Sequence, residues 1–329
     1  MDTAHHRIAL RPLAPAEIER GIELLGRSSA RDTSHRFRER LSSASSDELR
    51  VALVAEREGV IVGIAKATEE PTVDGTASVS VVVTPEAEGF GLGVVLAAAL
   101  HEQIAESPLT FTTELRDDLP TGRRFAERYG FTVVHHSLGW RLELSGLADE
   151  LRTRVEAASA ALGIMVRQGD LVTDRVEVLD CVVRSARGLP GPTGVFEDFD
   201  PQPVLGYFSP DSVVLFAEHD GRAVGMGVMH RVPDTDEWYT DFTGVDVEYR
   251  GRGIAGLLKL TELEAAARLG ATAMETHTDE SNVGIVAVNR TAGMHPIVGY
   301  WSMVRTSARR GDLSSARRQP LSTAQPSEN

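Results

Sequence analysis

Val245-Asp246-Val247-Glu248-Tyr249-Arg250-Gly251-Arg252-Gly253-Ile254-Ala255 carries a strand-like run into a turn of small residues and straight on into a helical pattern. The first amides of a helix have no partner inside it, and the macrodipole is positive there, so such a turn attracts an anion. Glycine is needed because a Cβ would hold the anion away from the backbone. The stretch reads as a cradle for a pyrophosphate. The chain contains it twice: Gly89-Phe90-Gly91-Leu92-Gly93 matches Gly251 to Ala255 at an offset of 162 residues, from Gly89 to Gly251.

The same offset carries Ala55-Glu56-Arg57-Glu58-Gly59, followed by Val62-Gly63, onto Ala217-Glu218-His219-Asp220-Gly221, followed by Val224-Gly225. Slipped by one residue, it carries Gly130-Phe131 onto Gly293-Met294. The chain therefore reads as two copies of one module. The expected division is 1–145 and 146–306, followed by a tail over 307–329 that is too poor in apolar residues to fold.

Composition narrows the function. A chain of 329 residues with 42% hydrophobic content supports two ordinary cores. A net charge of −14 argues against a nucleic-acid or anionic-membrane partner and suits a cationic acceptor. The single cysteine, Cys181, excludes an intramolecular disulfide and points to a reducing cytoplasm. It shares an apolar helical stripe with Val178 and Val182, so it reads as core and not as a nucleophile. Met1 to His6 leads directly into strand-like Arg7 to Arg11 without a secretory signal, and no apolar run reaches the ~20 residues that span a bilayer. No metal is expected. The two lysines, Lys66 and Lys259, sit among many arginines, which reads as codon bias.

Each copy predicts the same element order. In the first, a strand near 7–13 precedes helical stretches near 15–27 and 33–44. Strands over 51–56 and 60–68 meet at the Glu58-Gly59 turn, and a third covers 77–83. The glycine turn, a helix (94–104), a strand (109–115), a short helix (121–129) and a last strand (131–144) follow. In the second, helices near 147–162 and 176–188 lead to a loop over 188–204 that could shape an acceptor pocket. Strands near 212–218, 222–231 and 238–247 reach the turn, then a helix (256–269), a strand (273–277), a helix (285–291) and a strand (296–304). The cradle lacks a full G-x-G-x-x-G in the second copy and a Gly-Lys-Ser/Thr in both, and it follows an antiparallel run. A dinucleotide fold and a P-loop are thereby disfavoured.

Arg250-x-x-Gly253-x-Ala255, Asn282, the following helix and Gly293-Met294 together resemble the GCN5-related N-acetyltransferase superfamily, and the doubling resembles its tandem members. The resemblance implies an α/β (α+β) fold of two tandem domains, each a mixed, mostly antiparallel sheet flanked by helices, with splayed fourth and fifth strands. It implies that acetyl-CoA, or another acyl-CoA, lies in that gap, in the second domain alone or one per domain. Pantetheine would pair with Thr243 to Val247, a backbone N–H near Val245 would stabilise the oxyanion, and Arg250, Gly251, Arg252, Gly253, Ile254 and Ala255 would hold the pyrophosphate. Val247 and Asn282 complete that set. Its first-copy equivalents are Val81, Val83, Gly89, Phe90, Gly91, Leu92 and Gly93.

For proton transfer, alternation places Tyr239, Asp241 and Thr243 on one face of the fourth strand, and Glu275, His277 and Asp279 on one face of the fifth. Asp241 and His277 are the candidate bases. The family's leaving-group tyrosine corresponds to Asn289, which can hydrogen-bond sulfur but not protonate it, so water or Tyr300 is the alternative acid. The first copy has Glu88 where the second has Arg250, Leu119-Pro120 in the region of Asn282, and Ala126 at the tyrosine position. It therefore reads as a degenerate copy that either keeps an acyl-CoA as a structural ligand or stands empty, while the second performs the chemistry. The expected function is acyl-CoA-dependent N-acyl transfer to a small-molecule amine, in bacterial thiol or natural-product metabolism. A non-catalytic acyl-CoA sensor and a protein acetyltransferase are the rivals.

Overall fold

The computed structural model describes residues 8–28, 37–38, 41, 49–70, 75–187, 190–191, 194–195 and 201–306. Most of the expected helix at 33–44, much of the loop at 188–204 and the tail at 307–329 lie outside the described residues. The strands are β1 (Ile8–Pro12), β2 (Arg50–Arg57), β3 (Val60–Glu69), β4 (Thr76–Val83), β5 (Thr110–Arg116), β6 (Thr132–Glu143) and β7 (Met165–Gly169). They continue as β8 (Pro190–Gly191), β9 (Gly194–Val195), β10 (Val213–His219), β11 (Arg222–Arg231), β12 (Glu237–Val245), β13 (Ala273–Asp279) and β14 (His295–Arg305). The α-helices are α1 (Ile18–Gly26), α2 (Leu92–Ile104), α3 (Pro120–Arg128), α4 (Ala148–Leu162), α5 (Arg175–Ala186), α6 (Ile254–Arg268) and α7 (Val283–Ala292).

The repeat is visible in the turns. The β2–β3 hairpin uses Glu58 and Gly59 at positive φ, and the β10–β11 hairpin uses Asp220 and Gly221 in the same way. Two consecutive left-handed residues match the twist of the flanking strands. Each half also contains three antiparallel strands, a glycine turn and a helix, then a strand that enters parallel to its neighbour.

One continuous sheet holds twelve strands in the order β1-β2-β3-β4-β5-β14-β6-β13-β12-β11-β10-β7. The last strand of each half has crossed over. β14 pairs with β5, from Tyr300 opposite Arg116 to Arg305 opposite Phe111, and β6 pairs with β13. The cores follow the exchange. Trp140 of β6 is buried with Met229, Trp238 and Leu263, whereas Met303 of β14 is buried with Val62, Ala65, Leu96 and Phe111. Each of the ranges 1–145 and 146–306 therefore completes the other's sheet.

The linking helix α4 packs along α6. Leu151 enters the core around Trp140, while Val155, Ala158 and Leu162 cover Ile254, Leu257 and Leu258. Arg154 donates to the carbonyls of Thr291 and Ala292 at the end of α7. Strand β7, unread in the sequence, follows Gly163, whose left-handed conformation ends α4. Among the described residues no helix is long and apolar enough to cross a membrane.

Candidate acyl-CoA site

In both halves the fourth and fifth strands meet briefly and part. β4 pairs with β5 only through Thr76–Thr110, Ala77–Phe111 and Ser78–Thr112. β12 pairs with β13 only through Glu237–Ala273, Trp238–Met274 and Tyr239–Glu275. Beyond these residues the two strands of each half form no further ladder pairs, and a helix starts above each gap.

The glycine turns have the geometry expected of them. Gly89 and Gly91 take φ of 80° and 77°, and Gly251 and Gly253 take 75° and 89°. Each second glycine is the N-cap of its helix, α2 or α6. Leu92, Gly93, Ile254 and Ala255 therefore sit in first turns whose amides lack helical acceptors. A Cβ at Gly89, Gly91 or Gly251 would meet nothing within 4 Å, whereas one at Gly253 would meet Leu162 of α4 at 3.5 Å.

The two gaps differ inside. In the first half a cavity of about 440 Å³ runs from Gly89, Gly91 and Gly93 between α2 and α3 down to the sheet. Val81 and Val83 line it, with Ala97 and Leu100 of α2. Phe90 stands outside it on the turn, 82% exposed. In the second half the positions of Ala97 and Leu100 are Lys259 and Glu262, and these form a buried ion pair. Glu262 also accepts from the hydroxyls of Thr240 and Thr243, at 3.1 Å each. Burial pushes its carboxyl above the ordinary value, opposed by the Lys259 ammonium and both hydroxyls. A Cβ at Gly227 would come within 2.2 Å of Glu262, so glycine there makes room for the carboxylate.

Several expected ligand residues are placed differently. β12 ends at Val245, and Val247 lies in a 3₁₀ turn over Val247–Tyr249, so strand pairing as far as Val247 is not available. The strand stops because Asp246 turns inward to Arg184 and Arg222, at 2.6 and 3.3 Å. The guanidinium of Arg250 points away from the cradle and donates to the carbonyls of Val245, Ser185 and Arg187. Its work is to join the turn to the end of α5. Arg252 donates to the Glu248 carbonyl and lies over Tyr249. Asn282 caps α7 by accepting from Ile285 N–H. Asn289 is fully buried and donates to Thr278 Oγ1.

A bulge corrects the reading of β12. Val228 faces Phe242 and Met229 faces Thr240, which leaves Asp241 as the extra residue. Thr243 consequently joins Thr240 on the α6 face, while Tyr239 and Asp241 face the other way. The β3–β4 pairing has no such shift. Through the bulge Asp241 reaches His230 Nδ1 at 2.6 Å. His230 escaped the sequence reading; its only signal was its place opposite Tyr239 in the hairpin register. His277 joins the cluster: its Nε2 contacts the Val298 carbonyl at 3.0 Å and its Nδ1 the Tyr239 hydroxyl at 3.1 Å. The carbonyl accepts from Nε2–H, so in the neutral imidazole Nδ1 accepts from the Tyr239 hydroxyl. Tyr300 of β14 packs 5.3 Å from the His277 ring. Asp241, His230, Tyr239, His277 and Tyr300 thus form a row of successive neighbours across β12, β11, β13 and β14, and Asn289 lies apart on the α7 side. Glu275 pairs with Arg141 and Asp279 with His135. Cys181 is core, as expected, its thiol pushed up to about 11 by burial.

The sequence matches the acetyltransferase (GNAT) family over residues 19–131 and again over 183–294. No curated protein sequence matches it. Among solved structures, a tandem GNAT protein from the clavulanic acid biosynthesis pathway is similar at 19% identity and a TM-score of 0.66, covering 91% of this chain and 98% of the other. A GCN5-related N-acetyltransferase from Sphaerobacter thermophilus is similar at 20% identity and a TM-score of 0.64, covering 91% and 95%. Both likenesses concern the fold. With a family match in each copy of the repeat, and a splayed strand pair under a glycine turn in each half, the chain belongs to the acetyltransferase (GNAT) family as a tandem member.

Proposed function

We propose that this protein is an acyl-CoA-dependent N-acyltransferase acting on a small-molecule amine in the cytoplasm. Proton transfer falls to the second half, and the first half retains an acyl-CoA. The observation that carries this reading is the His230–Asp241 pair at the parting of β12 and β13. Asp241, held by His230 Nδ1 at 2.6 Å, is the carboxylate that takes a proton from the attacking ammonium, directly or through a water, because His230 itself is buried. Tyr239 and Tyr300, beside His277, are the hydroxyls nearest that opening and the candidates for returning a proton to the departing sulfur. The acyl-CoA supplies the activated thioester. The amides that open α2 and α6 fit its pyrophosphate, and the first-half cavity fits its pantetheine arm. Similarity to a protein of the clavulanic acid pathway supports a role in natural-product metabolism, with thiol metabolism as the alternative setting.

The test is acyl transfer from acetyl-CoA to a panel of small amines, by wild type and Asp241→Asn. Turnover should fall about 10²–10⁴-fold in the variant while coenzyme binding persists. The Lys259–Glu262 pair in the second groove favours a second reading, acyl-CoA binding without transfer. Coenzyme binding by native mass spectrometry with no product from any amine would establish that reading and end the first.

A further inference from the structure

We propose that the inner end of the first-half cavity selects an acyl chain that terminates in a carboxylate, which Arg305 receives. This rests on the reading that the cavity holds an acyl-CoA. The cavity begins at the glycine turn and ends at Ile104, Phe131 and Arg305. Leu92 and Ile104 bound α2, whose rise over that interval is roughly 18 Å, enough for an extended pantetheine arm with an acyl group beyond it. Val79, Leu100, Phe125 and Phe131 make the walls largely apolar.

Arg305 is the cation at the far end. Its guanidinium lies 5.0 Å over the Phe111 ring and 5.1 Å over the Phe131 ring. One nitrogen donates to the Tyr129 carbonyl at 3.4 Å. Among the described residues it has no carboxylate partner. Other half-buried arginines are served better: Arg141 touches Glu143, Glu237 and Glu275, and Arg167 touches Asp174, Glu177 and Glu218. A guanidinium held between aromatic rings without a counter-ion is costly, and burial lowers its pKa accordingly. A carboxylate satisfies it through two parallel N–H donors, which a neutral acyl terminus cannot do.

The charge belongs to this cavity alone. Arg305 stands opposite Phe111 in β5, and the residue in the equivalent register of the other half, opposite Ala273, is Glu143. The exchanged strand therefore brings a cation from the end of the chain to the floor of the pocket formed by its beginning.

The experiment is calorimetric titration of the full chain with two thioesters of equal chain length, glutaryl-CoA and pentanoyl-CoA. Glutaryl-CoA should bind the first-half site at least tenfold more tightly. Arg305→Met should abolish that ratio and Arg305→Lys retain part of it. Equal affinities in the wild type, or a ratio that survives Arg305→Met, would overturn the inference, and the wild-type comparison requires no variant. Ala97→Phe, which fills the cavity, separates the two levels of the argument. If glutaryl-CoA binds as well after that substitution, or if no thioester binds the wild type, the cavity reading itself fails.

Discussion

Lys259 and Glu262, one turn apart on α6, form a buried ion pair at the two positions where Ala97 and Leu100 of α2 border a cavity. The repeat gives both helices the same start and the same seat on the sheet. Two substitutions per helix then decide whether apolar side chains or a buried ion pair lie beneath that helix. Lys259→Met should leave Glu262 as an uncompensated buried charge and cost about 3–5 kcal/mol. Replacing both with their counterparts, Lys259→Ala with Glu262→Leu, should recover most of that loss. Differential scanning calorimetry decides: a double variant no more stable than the single one would mean that the pair contributes more than mutual neutralisation.

Amine and thiol reactivity should report burial directly. Lys66 and Lys259 are the only lysines, 0% and 1% exposed, and Cys181 is buried with its pKa near 11. An N-hydroxysuccinimide ester should modify the folded chain only at its α-amine, and iodoacetamide at pH 8 should leave Cys181 unmodified. All three residues should react in denaturant, as peptide mass spectrometry would show. Modification of Lys66 or Lys259 at the native rate of an exposed amine would contradict the structure.

Where the halves meet, His136 of β6 sits between Asp117 at 3.0 Å and Glu280 at 2.9 Å. Burial alone would lower its pKa, but the hydrogen bonds and charges of the two carboxylates outweigh it, and the net shift is upward. The stabilisation is therefore fully present below about pH 6.5, the unfolded value, and fades as pH rises through the higher folded value. Urea unfolding at pH 6 and pH 8 should show a stability loss that His136→Gln removes. A wild type equally stable at both values, against an unchanged background, would refute the assignment.

Strand exchange makes separate halves incomplete. Residues 1–145 and 146–306, produced together as two chains, should associate one to one, because β14 completes the sheet beside β5 and β6 completes it beside β13. Size-exclusion chromatography with light scattering would detect the complex. Two stable halves that do not associate would mean that each can take back its own last strand, the usual alternative in a swapped pair.

Filling the first cavity should alter stoichiometry before it alters chemistry. Ala97→Phe should lower by one the number of acyl-CoA molecules counted by native mass spectrometry. Transfer should fall less than in Asp241→Asn. A larger loss of turnover than of binding would place the chemistry in the first half.

The duplication, the hairpin turns, the glycine cradles and the core position of Cys181 were legible because each is local: a turn needs particular φ values and a helix start needs particular residue sizes. The face assignment of Thr243 failed because a bulge moves every later residue of a strand to the opposite side, and its signal lies in the pairing and not in the strand. His230 was missed for a similar reason, since only hairpin register brings it to Asp241. Arg250 had the right spacing, but its reach was settled by free carbonyls at the end of α5, a distant element.

The sequence alone determined that one module occurs twice and that each copy carries a glycine turn opening a helix, because periodicity and backbone conformation are encoded within a few residues. Only the tertiary structure decided that the last strands change places, that Lys259 and Glu262 form a buried ion pair where Ala97 and Leu100 border a cavity in the other half, and that Arg305 lies beneath the opposite end of the chain. Those outcomes depend on which of two equivalent edges a strand meets and on side-chain volume across a packed interface, quantities that become defined only when both halves are assembled.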